Sequence, residues 1–138
     1  MGVLLDTDFL VSFWNADERR HDEAVATLEE LRNGARGQLY LTTFIVDEAA
    51  TLMMRRSRSL ANVRRFVRFL LGLPPAPKVF AILYLDQRLF DRAAERFLAS
   101  RKRLSFTDCT SLEIMRDEGI EAIATFDEDF RGLAETLP

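Results

Sequence analysis

Four acidic residues stand in apolar stretches of the chain, where a carboxylate has no evident structural role: Asp6, Glu48, Asp108 and Asp127. An ionised group beside apolar surface is costly unless it is paired, hydrogen-bonded or bound to a metal ion. One such acid could cap a helix, but four of them spread along the chain suggest a shared anionic pocket. Because Mg²⁺ and Mn²⁺ prefer oxygen ligands, such a pocket suggests a divalent cation.

The elements that must position these acids alternate between strand and helix. We predict strands at 2–6, 38–42, 79–84 and 121–125, and helices at 8–15, 18–32, from Thr42 or Thr43 onward, from Ser57 or Ser59 to 71, at 86–99 and at 107–118. The alternation predicts a single α/β domain over residues 1–138, with a central parallel sheet of about four to five strands and helices on both faces. Asp8 is expected to cap the first helix.

Ligands of parallel α/β sheets bind at the carboxyl ends of the strands, where Asp6 and Asp127 fall. Glu48 and Asp108 lie instead on the apolar faces of their predicted helices, since Leu112 follows Asp108 after one turn and Glu48 shares a stripe with its apolar neighbours. A carboxylate near a helix N-terminus has a rival explanation, which is stabilisation by the helix dipole and free backbone N–H groups. A turn or strand-end role is the corresponding alternative for the other two acids.

The composition limits the classes of protein to which the chain can belong. With one cysteine, Cys109, and one histidine, His21, the chain can hold neither a disulfide framework nor a Cys/His zinc cluster, and it cannot use two histidines as acid and base. No basic-then-apolar leader follows Met1, and the longest apolar stretch, 66–85, is interrupted by charges and prolines. We therefore expect a cytoplasmic protein with no membrane segment.

The net charge of −3 conceals a segregation of charge along the chain. Residues 1–54 hold 4 basic and 10 acidic groups and residues 104–138 hold 2 and 9, whereas residues 55–103 hold 13 and 3. A basic segment is typical of proteins that bind a polyanion, because arginine suits phosphate oxygens. It is equally compatible with a solvated helix face or an interface for an acidic partner.

Each of the four acids belongs to a short segment: LLDTD at 4–8, TFIVDE at 43–48, LSFTD at 104–108 and ATFDEDF at 124–130. Together these segments resemble the successive motifs of the PIN-domain nucleases, in the same order and with similar spacing. Each motif alone is a weak signal, but four in order on an α/β pattern of this length are specific. Among PIN domains, a free-standing chain of this size most resembles the VapC-type toxins of prokaryotic toxin–antitoxin pairs.

The resemblance implies a metal-binding and catalytic quartet of acids: Asp6, Glu48, Asp108 and Asp127. It also implies supporting hydroxyl groups near the site: Thr7, Ser105, Thr107 and Thr125. Thr107 is foremost among these because it immediately precedes the third acid. Asp129 competes for the fourth acidic place, and Asp127 is favoured because it directly follows a predicted strand.

The activity implied by the resemblance is that of an endoribonuclease dependent on Mg²⁺ or Mn²⁺. Ions held by carboxylates can orient a water, lower its pKa and neutralise charge on a phosphodiester under attack. The implied partners are an RNA substrate and a cognate antitoxin, and a homodimer is expected. The basic segment then predicts three RNA-binding arginines, Arg64, Arg65 and Arg68.

Three other functions use some of the same residues. A PIN nuclease could process RNA outside a toxin pair, or a PIN module could bind RNA or a partner without cleaving, although retention of all four acids disfavours the second. The Asp6-Thr7-Asp8 segment also resembles the first motif of haloacid-dehalogenase-like phosphohydrolases. Those enzymes need a suitably placed lysine, and neither Lys78 nor Lys102 ends a predicted strand.

Overall fold

The computed structural model describes residues 1–138. In chain order its elements are β1 (Val3–Leu5), α1 (Thr7–Trp14), α2 (His21–Arg32), β2 (Leu39–Thr42), α3 (Thr43–Arg56), α4 (Leu60–Leu71), β3 (Ala81–Leu83), α5 (Gln87–Ala99), α6 (Phe106–Glu118), β4 (Ala122–Ala124), a 3₁₀ turn (Glu128–Phe130) and β5 (Glu135–Leu137). Every strand and helix predicted from the sequence is present. The structure adds the 3₁₀ turn and β5.

The five strands form one parallel sheet in the order β3-β2-β1-β4-β5. The central strand β1 pairs with β2 and β4, and all of its residues are fully buried. Because successive residues of a strand point to opposite faces, this burial means that both faces of the sheet are covered. The predicted α/β class and the parallel sheet are therefore confirmed, with the strand number at the upper end of the predicted range.

The edge strand β5 has no apolar run from which it could be predicted. Its residues Glu135, Thr136 and Leu137 pair with β4 and are exposed or half-buried. An edge strand with one covered side needs few apolar residues, so its sequence resembles that of a loop. Its pairing completes the hydrogen bonding of β4, whose carboxyl end leads into the ATFDEDF segment.

The helices that follow β1 and β2 begin at the ends of those strands. Asp6 is extended (φ −85°, ψ 161°) and its side chain accepts a hydrogen bond from the Thr7 N–H, so α1 begins at Thr7. The prediction that Asp8 caps this helix is wrong, because Asp8 lies within the first turn. The sequence offered Thr42 or Thr43 for the start of α3 and Ser57 or Ser59 for the start of α4. In the structure Thr42 caps α3 and Ser59 caps α4.

The core extends from the sheet into an aromatic cluster between α1 and α4. Trp14 lies 5.6 Å from Phe66 and 5.3 Å from Phe69, between ring centroids, and Phe69 meets the ring of Phe80 edge-on. Such pairs stabilise the packing of neighbouring elements beyond the area that they bury. None of the helices has the length and apolar character needed to cross a membrane.

Candidate active site

Asp6 lies at the carboxyl end of the central strand, almost wholly shielded from solvent, with 4% of its surface exposed. One carboxylate oxygen accepts a hydrogen bond from the Thr7 N–H and the other from the Thr125 hydroxyl, each at 2.9 Å. Thr125 follows β4, the strand next to β1, so the hydrogen bond joins the ends of two adjacent strands. These two contacts fix the orientation of the Asp6 carboxylate.

Asp108 lies in the first turn of α6 and is also buried, with 7% exposed. Its Oδ2 accepts a hydrogen bond from the Ser105 N–H at 2.9 Å, while its own N–H donates to the Ser105 hydroxyl at 3.0 Å. This reciprocal pair is a capping box, so the helix-cap explanation holds for one oxygen of Asp108. Its Oδ1 accepts no hydrogen bond from the protein.

The charges of the predicted acids act on one another. The pKa of Asp6 is raised to about 7, chiefly by burial and then by the negative charge of Asp108. The pKa of Asp108 is raised to about 6 by burial, against the two hydrogen bonds with Ser105, and further by the charges of Asp127 and Glu48. Each of the four acids is therefore close enough to another to repel it.

A fifth acid, Asp8, joins this group and was not assigned to it by the sequence. Partial burial raises the pKa of Asp8, Arg56 opposes the shift, and the charges of Glu48 and Asp127 raise the pKa further. Asp8 lies on the first turn of α1, two residues beyond Asp6, with part of its surface open to solvent. None of the five acids forms a salt bridge with a lysine, arginine or histidine.

Two clefts meet at Asp8. The first, which we call the Glu48 cleft, has a volume of about 390 Å³ and is lined by Thr7, Asp8, Asp47, Glu48, Thr51, Leu52, Arg55 and Thr107. The second, which we call the Arg20 cleft, has a volume of about 540 Å³ and is lined by Asp8, Ser12, Glu18, Arg19, Arg20, Arg56, Phe126, Asp127, Glu128 and Asp129. The half-buried acids Glu48 and Asp127 therefore line different clefts, which share Asp8.

Asp127 and Asp129 both line the Arg20 cleft. Asp127 accepts a hydrogen bond from the Asp129 N–H and donates its own N–H to the Thr125 hydroxyl, which in turn bonds Asp6. The charge of Asp127 raises the pKa of Asp108 and of Asp8. These contacts favour Asp127 as the fourth acid of the site.

The predicted hydroxyl groups occupy different places. Thr125 bonds Asp6, and Thr107 lines the Glu48 cleft and accepts a hydrogen bond at its carbonyl from Thr110. The hydroxyl of Thr7 is buried without any hydrogen-bond partner. Because buried polar groups normally have partners, this unpaired oxygen indicates a position for a water or a ligand beside Asp6.

The donor set fits a hard divalent cation, since the two buried carboxylates and the hydroxyl of Thr7 offer oxygen ligands. Repulsion between the unpaired Asp6 and Asp108 would be relieved by a bound cation. No three acidic, histidine or cysteine side chains lie close enough together to hold an ion by themselves. The remaining ligands would therefore be waters, several of which Mg²⁺ usually keeps.

The sequence matches the PIN domain family over residues 3–136, which is nearly the whole chain. The chain belongs to the PIN-domain family. The VapC ribonuclease of Archaeoglobus fulgidus is 28% identical over 132 residues, which are 94% of this chain and 80% of that protein. The resemblance predicted from the four segments is confirmed.

Solved structures of related proteins share the PIN fold. Mycobacterium tuberculosis VapC20, described as a toxin that cleaves the sarcin–ricin loop, superposes with a TM-score of 0.81 at 25% identity over 99% of both chains. A toxin–antitoxin complex from Klebsiella pneumoniae gives a TM-score of 0.67 at 19% identity over 99% of this chain and 96% of that chain, which shows the fold alone. Both the PIN fold and the relationship to VapC proteins are thus as predicted.

Membership of the PIN family removes the haloacid-dehalogenase alternative. The lysine chemistry that it required is also missing, because Lys102 donates its Nζ hydrogens to the carbonyls of Asp129 and Arg131 and Lys78 lies in the loop between α4 and β3. Lys102 therefore holds the 3₁₀ turn rather than the buried acids.

The three arginines predicted to bind RNA line neither of the two clefts. Arg64, Arg65 and Arg68 are exposed on α4, and two of them border an apolar groove of about 680 Å³ between α3 and α4. The arginines that line the clefts beside the acids are instead Arg19, Arg20, Arg55 and Arg56. Arg55 and Arg56 begin the basic segment, whereas no sequence signal set Arg19 and Arg20 apart from other charged residues of their loop.

Proposed function

We propose that the protein is a metal-dependent endoribonuclease of the VapC type, the toxin of a toxin–antitoxin pair. The observation that carries this proposal is the buried, mutually repelling pair Asp6 and Asp108, which no basic side chain neutralises. A fold gains no stability from such a pair, so its presence is explained by a ligand. The relationship to a VapC ribonuclease indicates that this ligand serves RNA hydrolysis.

The proposed cofactor is Mg²⁺ or Mn²⁺, with Asp6 and Asp108 as its principal ligands. When bound, such an ion lowers the pKa of a coordinated water and neutralises charge on the phosphate. Thr125 and the Thr7 N–H hold the Asp6 carboxylate in place, and Ser105 does the same for Asp108. Hydrogen bonds to ligating carboxylates tune such sites strongly.

The remaining acids have proposed roles that follow from their exposure. Glu48 and Asp127 are half-buried and open onto the two clefts, where either can hold or orient a water that attacks the phosphorus atom. Thr107 faces the same cleft as Glu48 and is proposed to hydrogen-bond a water or a phosphate oxygen there. A general base must lie within hydrogen-bond reach of the water that it activates.

The proposed partners are an RNA substrate and a cognate antitoxin protein, in the cytoplasm. The likeness to the Klebsiella pneumoniae toxin–antitoxin complex supports the second. A homodimer is proposed as well, supported by the exposed apolar residues of α5, where Phe90, Phe97 and Leu98 are 42%, 44% and 84% exposed. Apolar clusters of this kind commonly mark protein interfaces. An RNA-processing role outside a toxin pair would use the same site.

We expect purified protein to cleave a mixed pool of structured RNAs when Mg²⁺ or Mn²⁺ is present and not in EDTA. Because the proposed nucleophile is water, the products should carry 3′-hydroxyl and 5′-phosphate ends. End-group analysis of the fragments checks this. Fragments ending in 2′,3′-cyclic phosphate, or cleavage that persists in EDTA, would mean that the ribose hydroxyl attacks and that the proposed chemistry is wrong.

A further inference from the structure

We propose that the Arg20 cleft holds the RNA strand next to the scissile phosphate, with Arg20 and Arg56 contacting the strand's phosphates and Phe126 stacking on one of its bases. This inference rests on the proposed ribonuclease function and adds to it a place for the substrate. It differs from the prediction made from the sequence, which placed RNA along Arg64, Arg65 and Arg68 of α4.

The Arg20 cleft is contiguous with the acids. Asp8 and Asp127 form part of its wall, and Asp8 also lines the Glu48 cleft. A strand lying in the Arg20 cleft would therefore bring a phosphate to Asp8 at the boundary between the two clefts, and the Glu48 cleft beyond it is lined by Thr7 and Thr107, the chain neighbours of Asp6 and Asp108. The apolar groove beside Arg64 and Arg68 contains none of these acids and adjoins the Glu48 cleft at Thr51.

The Arg20 cleft is lined by three arginines and five acids. Arg19 and Arg20 come from the loop between α1 and α2, and Arg56 comes from the end of α3. The acids are Asp8, Glu18, Asp127, Glu128 and Asp129. Guanidinium groups pair well with phosphate oxygens, so the three arginines are suited to the backbone of an RNA strand.

These arginines are free to exchange partners. Arg56 is paired with Glu18 at 2.7 Å and Arg20 lies 3.8 Å from Glu23, but both pairs are at the surface, where ion pairs are weak. Arg19 forms no salt bridge with any acidic side chain. A phosphate could therefore replace Glu18 on Arg56 at little cost.

Phe126 is the only apolar residue that lines the cleft. Its ring packs on the fully buried Phe9, with centroids 5.5 Å apart, and the Arg20 guanidinium carbon lies 4.8 Å from its centroid. The ring is half-buried and thus held in position by the core. Aromatic rings and arginine planes are the surfaces on which proteins stack single-stranded bases.

The test compares three double variants with equal charge loss, Arg20→Ala/Arg56→Ala, Arg64→Ala/Arg68→Ala and, as a control, Arg32→Ala/Arg116→Ala. We measure RNA affinity as a function of salt concentration for each double variant combined with Asp6→Asn. We measure kcat/KM for cleavage with the same double variants in the protein that keeps Asp6. In the Arg20→Ala/Arg56→Ala variant, the loss of two phosphate contacts should reduce the slope of log Kd against log salt concentration by about 1.4 and lower kcat/KM by at least about tenfold. The other two variants should not show these losses. The melting temperature of each variant shows whether it is folded.

An equal or larger loss in the Arg64/Arg68 variant, or an unchanged slope in the Arg20/Arg56 variant, would overturn the proposal. The binding measurement needs no cleavage, so failure of the ribonuclease function and failure of this inference can be told apart. For the stacking role, Phe126→Leu should weaken binding by about fivefold or more at an unchanged salt slope, whereas Phe126→Tyr should retain affinity. Equal affinity of the Leu and Tyr variants would remove Phe126 from the binding surface.

Discussion

Replacing Asp6 with asparagine should abolish RNA cleavage and at the same time stabilise the metal-free protein. Cleavage should fall by at least about a hundredfold, because the substitution removes the charge of a principal metal ligand. At pH values above 7, the free energy of unfolding should rise by up to about 4 kcal/mol, because the substitution removes a carboxylate whose burial raises its pKa to about 7. Asparagine caps helices well, so α1 should keep its start.

The measurements are initial cleavage rates with Mn²⁺ and thermal unfolding in EDTA. The melting temperature of the Asp6→Asn variant in EDTA should exceed that of the parent by roughly 5 °C or more at pH 8. Asp91→Asn is the matched control, because it removes the same charge from an exposed position on α5 and should change neither quantity. A variant that cuts RNA at the parent rate would exclude Asp6 from the active site, and one that is less stable would mean that the Asp6 charge is compensated in the fold.

The stability of the metal-free protein should decrease as pH rises, and a divalent cation should reverse this trend. The folded-state pKa values of Asp6 and Asp108, about 7 and about 6, lie above the ordinary value of 3.8. The folded state therefore binds more protons than the unfolded state between about pH 4 and pH 7, so the free energy of unfolding falls over that interval. It should level off above about pH 7.

A cation binds the ionised carboxylates, so its stabilising effect should grow across the same interval. Thermal unfolding at several pH values between 5 and 8, in EDTA and in saturating Mn²⁺, measures both trends. The shift in melting temperature caused by Mn²⁺ should be small at pH 5 and several degrees at pH 8, and it should nearly vanish in Asp6→Asn. A shift that does not depend on pH would mean that Mn²⁺ binds groups other than these two acids.

The parts of the site that the sequence predicts are those fixed by secondary structure. Asp6 and Asp127 follow apolar strands, and strand ends in a parallel sheet meet at one edge. Asp108 could be placed on the buried face of its helix by periodicity alone. In the folded structure the charge of Asp108 raises the pKa of Asp6, and the charge of Asp127 raises the pKa of Asp108.

The parts that the sequence does not predict depend on contacts between distant segments. The hydrogen bond from Thr125 to Asp6 spans 119 positions, and the position of Arg20 above Phe126 depends on how the loop between α1 and α2 folds back. Arg64 and Arg68 belong to a basic run in the sequence, but they border the apolar groove and line neither cleft beside the acids. Local charge density therefore does not predict which arginines line those clefts.

The most direct test of the site is calorimetric titration of the metal-free protein with Mn²⁺ at pH 6.5, in two buffers of different ionisation enthalpy. We predict saturable binding that releases about one proton per ion, since this pH lies between the two raised pKa values. Asp6→Asn should lose the binding, and Asp91→Asn should retain it. Equal binding by parent and Asp6→Asn, or none by the parent in the presence or absence of RNA, would contradict the assignment of Asp6 and Asp108 as the cation site.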